Sequence, residues 1–313
     1  MMELGRANLE EFGATLIALG QQNPNLLVVT SDSRGSGKLG PFGEQLPDQI
    51  VEVGIAEQNL VGVSAGLAAA GKKVFAVSPA CFLTTRSLEQ IKNDVAYSDQ
   101  PVKLVGISAG VSYGALGTTH HSLHDYAALR AINNIDIVAP ADNFETREAI
   151  KAAVDHPRPI YIRFGKRPRP HLHQPDAHFE VGRAITVTEG SDVTIIATGE
   201  PLLEAVQAAE LLAEDGLSCR VISMHTLKPL DTAVVLQAAR ETRAIITVEE
   251  HSVCGGLGGA CAELLIQNRL CLPFKIIGIP DEYTVTGSQA EILAHYGITP
   301  AKLAETAKGL LSD

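Results

Sequence analysis

Short apolar runs recurring between helical-period segments constrain this chain more than any other feature. Leu26 to Thr30, Gln49 to Val53, Lys73 to Val77, Val102 to Ile107, Asp136 to Ala139 and Pro159 to Arg163 each read as a strand. Between them the spacing predicts helices over Glu57 to Ala70, Thr84 to Tyr97 and Phe144 to Val154. Leu88, Ile91 and Val95 fall on one helical face, and Gly71 suits a helix C-cap. Such alternation is the pattern of βα units around a parallel sheet buried on both faces. Tryptophan is absent and aromatics are only 4%, so Ala, Val, Leu and Ile must fill that core. A second series follows, with strands at Val193 to Ala197, Ser218 to Ile222, Ala244 to Val248 and Phe274 to Gly278. Its helices fall at Leu202 to Asp215 and near Asp231 to Glu241 and Gly258 to Arg269. Between the two series, Gly165 to Pro175 loses periodicity and gathers Pro168, Pro170 and Pro175 among basic and histidine residues, as a linker does. The prediction is an α/β chain of two domains, 1–168 and a smaller 183–313, joined by 169–182; 313 residues accommodate two.

A net charge of −11 argues against nucleic-acid and anionic-membrane surfaces, which need clustered positive charge. Five scattered cysteines without Cys-x-x-Cys spacing fit reduced thiols rather than disulfides or zinc. The opening residues have no apolar core like a signal peptide's, and no apolar stretch reaches membrane-spanning length. The expected location is the cytoplasm.

Two segments carry the chemistry. In Gly54-Ile55-Ala56-Glu57-Gln58-Asn59 a strand end turns into a helix with a carboxylate in its first turn. Most such glutamates are solvated and simply suit the helix dipole. This one follows a strand end, where α/β proteins bind ligands. Its helix is rich in small residues that permit close packing. The other segment, Gly117 to Asp125, holds His120, His121 and His124. His120 and His124 are four apart and share a helix face, so metal ligation and ordinary surface or capping roles both fit. Gly255 to Gly259 is a weak phosphate-cradle signal.

Taken in order, several runs resemble the transketolase family. They are Ile55-Ala56-Glu57-Gln58-Asn59, Gly66-Leu67-Ala68, Arg86-Ser87-Leu88-Glu89-Gln90-Ile91, Gly110-Val111-Ser112-Tyr113-Gly114 with Thr119-His120, and Pro140-Ala141-Asp142. These look like the family's pyrimidine-binding domain. Leu227-Lys228-Pro229-Leu230-Asp231, Val248-Glu249-Glu250-His251 and Gly255-Gly256-Leu257-Gly258 look like its C-terminal domain. The Gly-Asp-Gly … Asn-Asn pattern that holds the cofactor's diphosphate and metal is missing. The resemblance therefore implies the C-terminal section of a split transketolase, with a partner N-terminal section and two copies of each chain.

The resemblance implies thiamine diphosphate with Mg²⁺, the metal's ligands lying on the partner. Glu57 would share a proton with the pyrimidine ring and activate the cofactor for moving a two-carbon ketol unit between sugars; a carboxylate in a dry pocket can do this. Phe82, Leu83 and Arg86 fall in the segment that walls the pyrimidine, with Leu83 at the usual stacking position. His120 would face substrate hydroxyls, and metal ligation by the cluster becomes improbable, since the family's metal sits in the other domain. Ser36, Ser108, His121, Arg163, Lys166 and Arg167 are candidate substrate contacts, the basic ones for an anionic tail. Leu116 replaces an acidic residue and Ser108 a histidine common in enzymes of pentose phosphates. The glycine-rich start near Gly255 is implied to be structural, in a domain without catalytic residues. Two alternatives stay open: a 2-oxo-acid dehydrogenase β-subunit, which shares the fold and the glutamate, and a non-catalytic partner subunit.

Overall fold

Six of the predicted strands assemble into one parallel sheet, and a strand from the second domain closes its edge. The structure is a computed structural model describing residues 3–174 and 176–312. The sheet order is Thr226–Lys228, Asp136–Val138, Ile160–Arg163, Lys103–Ile107, Lys73–Pro79, Leu26–Thr30, Ile50–Glu52. All neighbours run parallel except Thr226–Lys228, which pairs antiparallel to Asp136–Val138. The central strands are apolar and buried, as expected of strands covered on both faces. A second sheet, ordered Phe274–Ile279, Ala244–Ser252, Val193–Ala197, Cys219–Ser223, Ile185–Thr188, builds the C-terminal domain; only its last strand is antiparallel.

Several details depart from the sequence reading. The helix expected over 84–97 is broken: helix Ala80–Arg86 is followed by a short turn and a π-helical segment, Ile91–Tyr97. Two long helices without a sequence prediction, Asn8–Gln22 and Pro300–Ser312, pack on the sheets through Leu9, Phe12 and Leu16 and through Leu303, Ala304 and Ala307. Among the described residues no helix is long and apolar enough to cross a membrane.

The segment expected as a linker is tied down. Pro168–Pro170 pairs with Leu4–Ala7. Arg169 is buried beside Glu200 and Glu204 of the second domain, and Leu172 is buried too. Pro175 lies outside the described residues. The strongest tie is His173, whose Nδ1 lies 3.0 Å from Asp142 Oδ2 and Nε2 3.0 Å from Glu145 Oε1. Glu145 Oε1 also accepts from Ser223 Oγ of the second domain, at 2.5 Å. Burial pulls the His173 imidazole down, but Glu145 and Asp142 outweigh it and push it up to about 10.

His173 ordinarily titrates near 6.5 and does so near 10 when folded. Its charge therefore contributes stability that is complete below pH 6.5 and lost as pH rises through 10. Denaturant unfolding of the wild type is expected to weaken steadily between pH 7 and 10. His173→Gln is expected to be less stable at pH 7 and to lack most of that decline; equal slopes in both proteins would contradict the assignment.

Candidate active site

Every candidate side chain in the first domain descends from the C-terminal end of a parallel strand, where ligand sites of open α/β sheets form. Ile50–Glu52 leads to Glu57, Lys73–Pro79 to Phe82 and Arg86, Lys103–Ile107 to Ser108 and the histidine loop, and Ile160–Arg163 to Lys166.

Glu57 is the first residue of helix Glu57–Ala69 and is only 4% exposed. Arg86 Nη1 donates to both of its carboxylate oxygens at 3.0 Å. The Arg86 guanidinium also lies 4.1 Å from the centroid of the Phe82 ring. Phe82 meets His120 edge to face, centroids 5.3 Å apart, and Tyr113 meets the other side of His120 at 5.4 Å. Lys166 Nζ sits 3.7 Å from the Tyr113 centroid. One continuous wall results, running Glu57, Arg86, Phe82, His120, Tyr113, Lys166. At its Glu57 end a cleft of about 640 Å³ opens outward, lined by Ile55, Ala56, Glu57, Gln58, Asn59 and Arg86. Among the described residues no carboxylate pairs with Lys166, and burial holds its ammonium below the usual lysine range.

Not every sequence candidate joins this wall. Leu83, at the expected stacking position, is fully buried in the core; Phe82, one residue earlier on the short helix, faces the cleft instead. The reason is rotation: adjacent helical residues point about 100° apart, so one of the pair must turn inward. Arg163 is also withdrawn. It is 7% exposed, and its guanidinium donates to Asp125 Oδ2 at 2.8 Å, Tyr126 Oη at 3.1 Å, Ser122 O at 3.0 Å and Glu250 O at 2.8 Å. Burial would raise the Asp125 carboxyl, yet Arg163, His251 and Tyr161 together hold it below the usual range. Arg163 is a buried brace between domains, with its donors spent.

His121 is 3% exposed and has both ring nitrogens engaged, with Gly114 O at 2.9 Å and Thr284 Oγ1 at 3.2 Å. His120 keeps one nitrogen clear of protein partners, its Nδ1 lying 2.9 Å from Thr119 Oγ1. Ser108 is fully buried in a left-handed conformation, φ 55°, and its Oγ has no partner among the described residues. Strained polar positions of this kind gather at functional sites. Ser36 and Arg167 are exposed, and no polar contact links them to the wall among the described residues. Leu116, 56% exposed, stands on the rim. Sequence reasoning passed over Tyr113, which joins His120 to Lys166; an aromatic residue in a glycine-flanked loop after a strand was the available signal.

Models of two families match the chain: transketolase, pyrimidine binding domain, over residues 6–170, and transketolase, C-terminal domain, over residues 182–303. The chain belongs to the transketolase family. It corresponds to the C-terminal section of a split member. One of the two subunits of an apulose-4-phosphate transketolase from Phocaeicola vulgatus is 50% identical over 299 residues, covering 95% of both chains. A 6-deoxy-6-sulfo-D-fructose transketolase subunit of Clostridium sp. strain MSTE9 is 35% identical and covers 93% of this chain and 90% of its own. A solved structure described as a split gene transketolase, inactive beta4 tetramer, superposes with a TM-score of 0.90 at 36% identity, over 98% of this chain and 99% of that one. These matches favour the transketolase reading over the dehydrogenase alternative.

Proposed function

We propose that this chain is the cofactor-activating subunit of a transketolase that moves a two-carbon ketol unit from a ketose to an aldose with thiamine diphosphate. The observation that carries the reading is Glu57: a buried carboxylate, held at both oxygens, facing an outward-opening cleft beside an aromatic ring.

Thiamine diphosphate fits part of what the chain offers. Glu57 suits a pyrimidine ring nitrogen, and Phe82 supplies an apolar wall in place of Leu83. For the diphosphate and Mg²⁺, the described residues present no group of three His, Cys, Asp or Glu placed to hold a metal. That half is assigned to a separate N-terminal section, and the similar split-gene protein described as an inactive beta4 tetramer agrees with this division. The surface beside the cleft suits such a partner. Ile55 is 75% exposed, Tyr97 82% and Val51 37%, and helix Glu57–Ala69 turns Gln58, Asn59, Gly66 and Ala69 outward. Two copies of each chain around a two-fold axis would complete two sites. Five free thiols fit a cytoplasmic enzyme of carbohydrate metabolism.

The bound cofactor supplies the electron sink for breaking and making the ketol bond. The protein residues do the rest. Glu57 holds a proton at the pyrimidine nitrogen, and Arg86 keeps its carboxylate aimed until the ring arrives. His120, clasped between Phe82 and Tyr113, offers its free nitrogen to a substrate hydroxyl or carbonyl. Buried Ser108 lies behind the same loop. Lys166 offers a point charge to an anionic tail, which accepts phosphate or sulfonate alike. The two similar subunits are named for a phosphorylated and a sulfonated sugar. Arg163 and His121 leave the substrate set, and Ser36 and Arg167 remain candidates only for the outer mouth.

The test is co-expression with the N-terminal section and assay with thiamine diphosphate, Mg²⁺ and phosphorylated, sulfonated, branched and unphosphorylated donors. Glu57→Gln is expected to lower kcat at least about 100-fold, the scale of a lost proton-transfer group, with folding intact. Turnover within about 3-fold of wild type would remove Glu57 from the chemistry. Lys166→Glu is expected to raise KM for anionic donors on the order of tenfold and to spare uncharged ones. An unchanged KM would return Lys166 to an ordinary surface role.

A further inference from the structure

We infer that the C-terminal domain shapes the substrate face of the cleft through Thr284, which fixes the ring of His121 and with it the turn presenting His120. The functional consequence rests on the proposed role of His120; the contact itself does not.

The hydrogen bonds have a determined direction. Gly114 O can only accept, so the His121 Nε2 lying 2.9 Å away carries the ring hydrogen. His121 Nδ1 is then an acceptor, and Thr284 Oγ1, at 3.2 Å, is its donor. With its one hydrogen spent, Thr284 Oγ1 accepts from Thr118 Oγ1 at 2.8 Å. The order runs Thr118, Thr284, His121, Gly114. Burial lowers the His121 pKa against the opposing pull of Gly114 O, which favours the neutral ring this order needs. Three members of the chain belong to the histidine loop and one to the other domain.

The backbone of that loop is moulded against the same domain. A Cβ at Gly114 would lie 2.7 Å from Gly287 O, and one at Gly110 only 2.4 Å from Glu250 Oε1; both glycines have positive φ. Val111 N–H donates to Glu250 Oε1 at 2.7 Å, and Gln289 Nε2 reaches the same oxygen at 3.0 Å. His120 and His121 leave this loop in one turn, both backbone N–H groups donating to Gly117 O. A shift of His121 therefore carries His120 with it, and displacements near 1 Å at a substrate contact are costly. Thr284 is a positioning residue, acting through His121 on His120.

Two measurements decide the inference. In the chain labelled with ¹⁵N-histidine, ring nitrogen shifts are expected to show His121 as the Nε2–H tautomer between pH 6 and 8. Thr284→Val should alter its Nδ1 signal and Thr284→Ser restore it; a signal indifferent to Thr284→Val overturns the contact. In the assembled enzyme, Thr284→Val is expected to raise the donor KM about tenfold and Thr284→Ser to recover it. In a His120→Asn background Thr284→Val should add less than about 2-fold, because the two act through one group. If His120→Asn alone leaves KM unchanged, the reading of His120 fails. If His120→Asn raises KM while Thr284→Val does not, or the effects multiply independently, the positioning role is overturned.

Discussion

The fully buried guanidinium of Arg163 is the interaction on which the cleft's geometry depends. It stands at the end of a central strand and joins Asp125, Tyr126 and Ser122 O of its own domain to Glu250 O of the other. Such a charge is not retained for net stability, since a buried ion pair against well-packed apolar residues is often neutral or worse. Its use here is registry. Four donors in a rigid fork accept one arrangement of the domains, and the acceptor carbonyl of Glu250 belongs to the residue whose carboxylate holds Val111 N. The seam thus fixes the loop that carries Tyr113, His120 and His121. His173 repeats the device at the domain edge, a buried cation between Asp142 and Glu145.

The domains therefore divide the work differently from the sequence expectation of a supportive C-terminal unit. The first supplies every side chain along the wall from Glu57 to Lys166. The second lends the sheet an edge strand, Thr226–Lys228, and grips the histidine loop through Glu250, Thr284 and Gln289. What neither supplies is a roof over Glu57. A carboxylate this buried, with both oxygens in one arginine's grip and an open cleft before it, is half of a site.

Much of this was legible in the sequence because local patterns carried it. The strand runs, the turn into Glu57 and the glycine-flanked histidine loop are set by period and turn chemistry. Three features were not. Phe82 and Leu83 differ by one helical step, and only packing against the core decides which turns outward. Arg163 groups with Lys166 and Arg167 by charge and position, but its burial depends on Glu250, 87 residues away. The stretch 169–182 has a linker's composition, yet pairing with Leu4–Ala7 and the His173 ion pairs hold it fast. Each miss reflects long-range contacts overriding a local signal.

The central claim is that Glu57 works only where this chain meets a partner holding the diphosphate and metal. Calorimetric titration of thiamine diphosphate with Mg²⁺ into the chain alone, and into an equimolar mixture with the N-terminal section, tests it most directly. Binding is predicted to be at least about 100-fold tighter in the mixture, some 3 kcal/mol, and to be lost from it on removing Mg²⁺. Equally tight binding by the chain alone would contradict it.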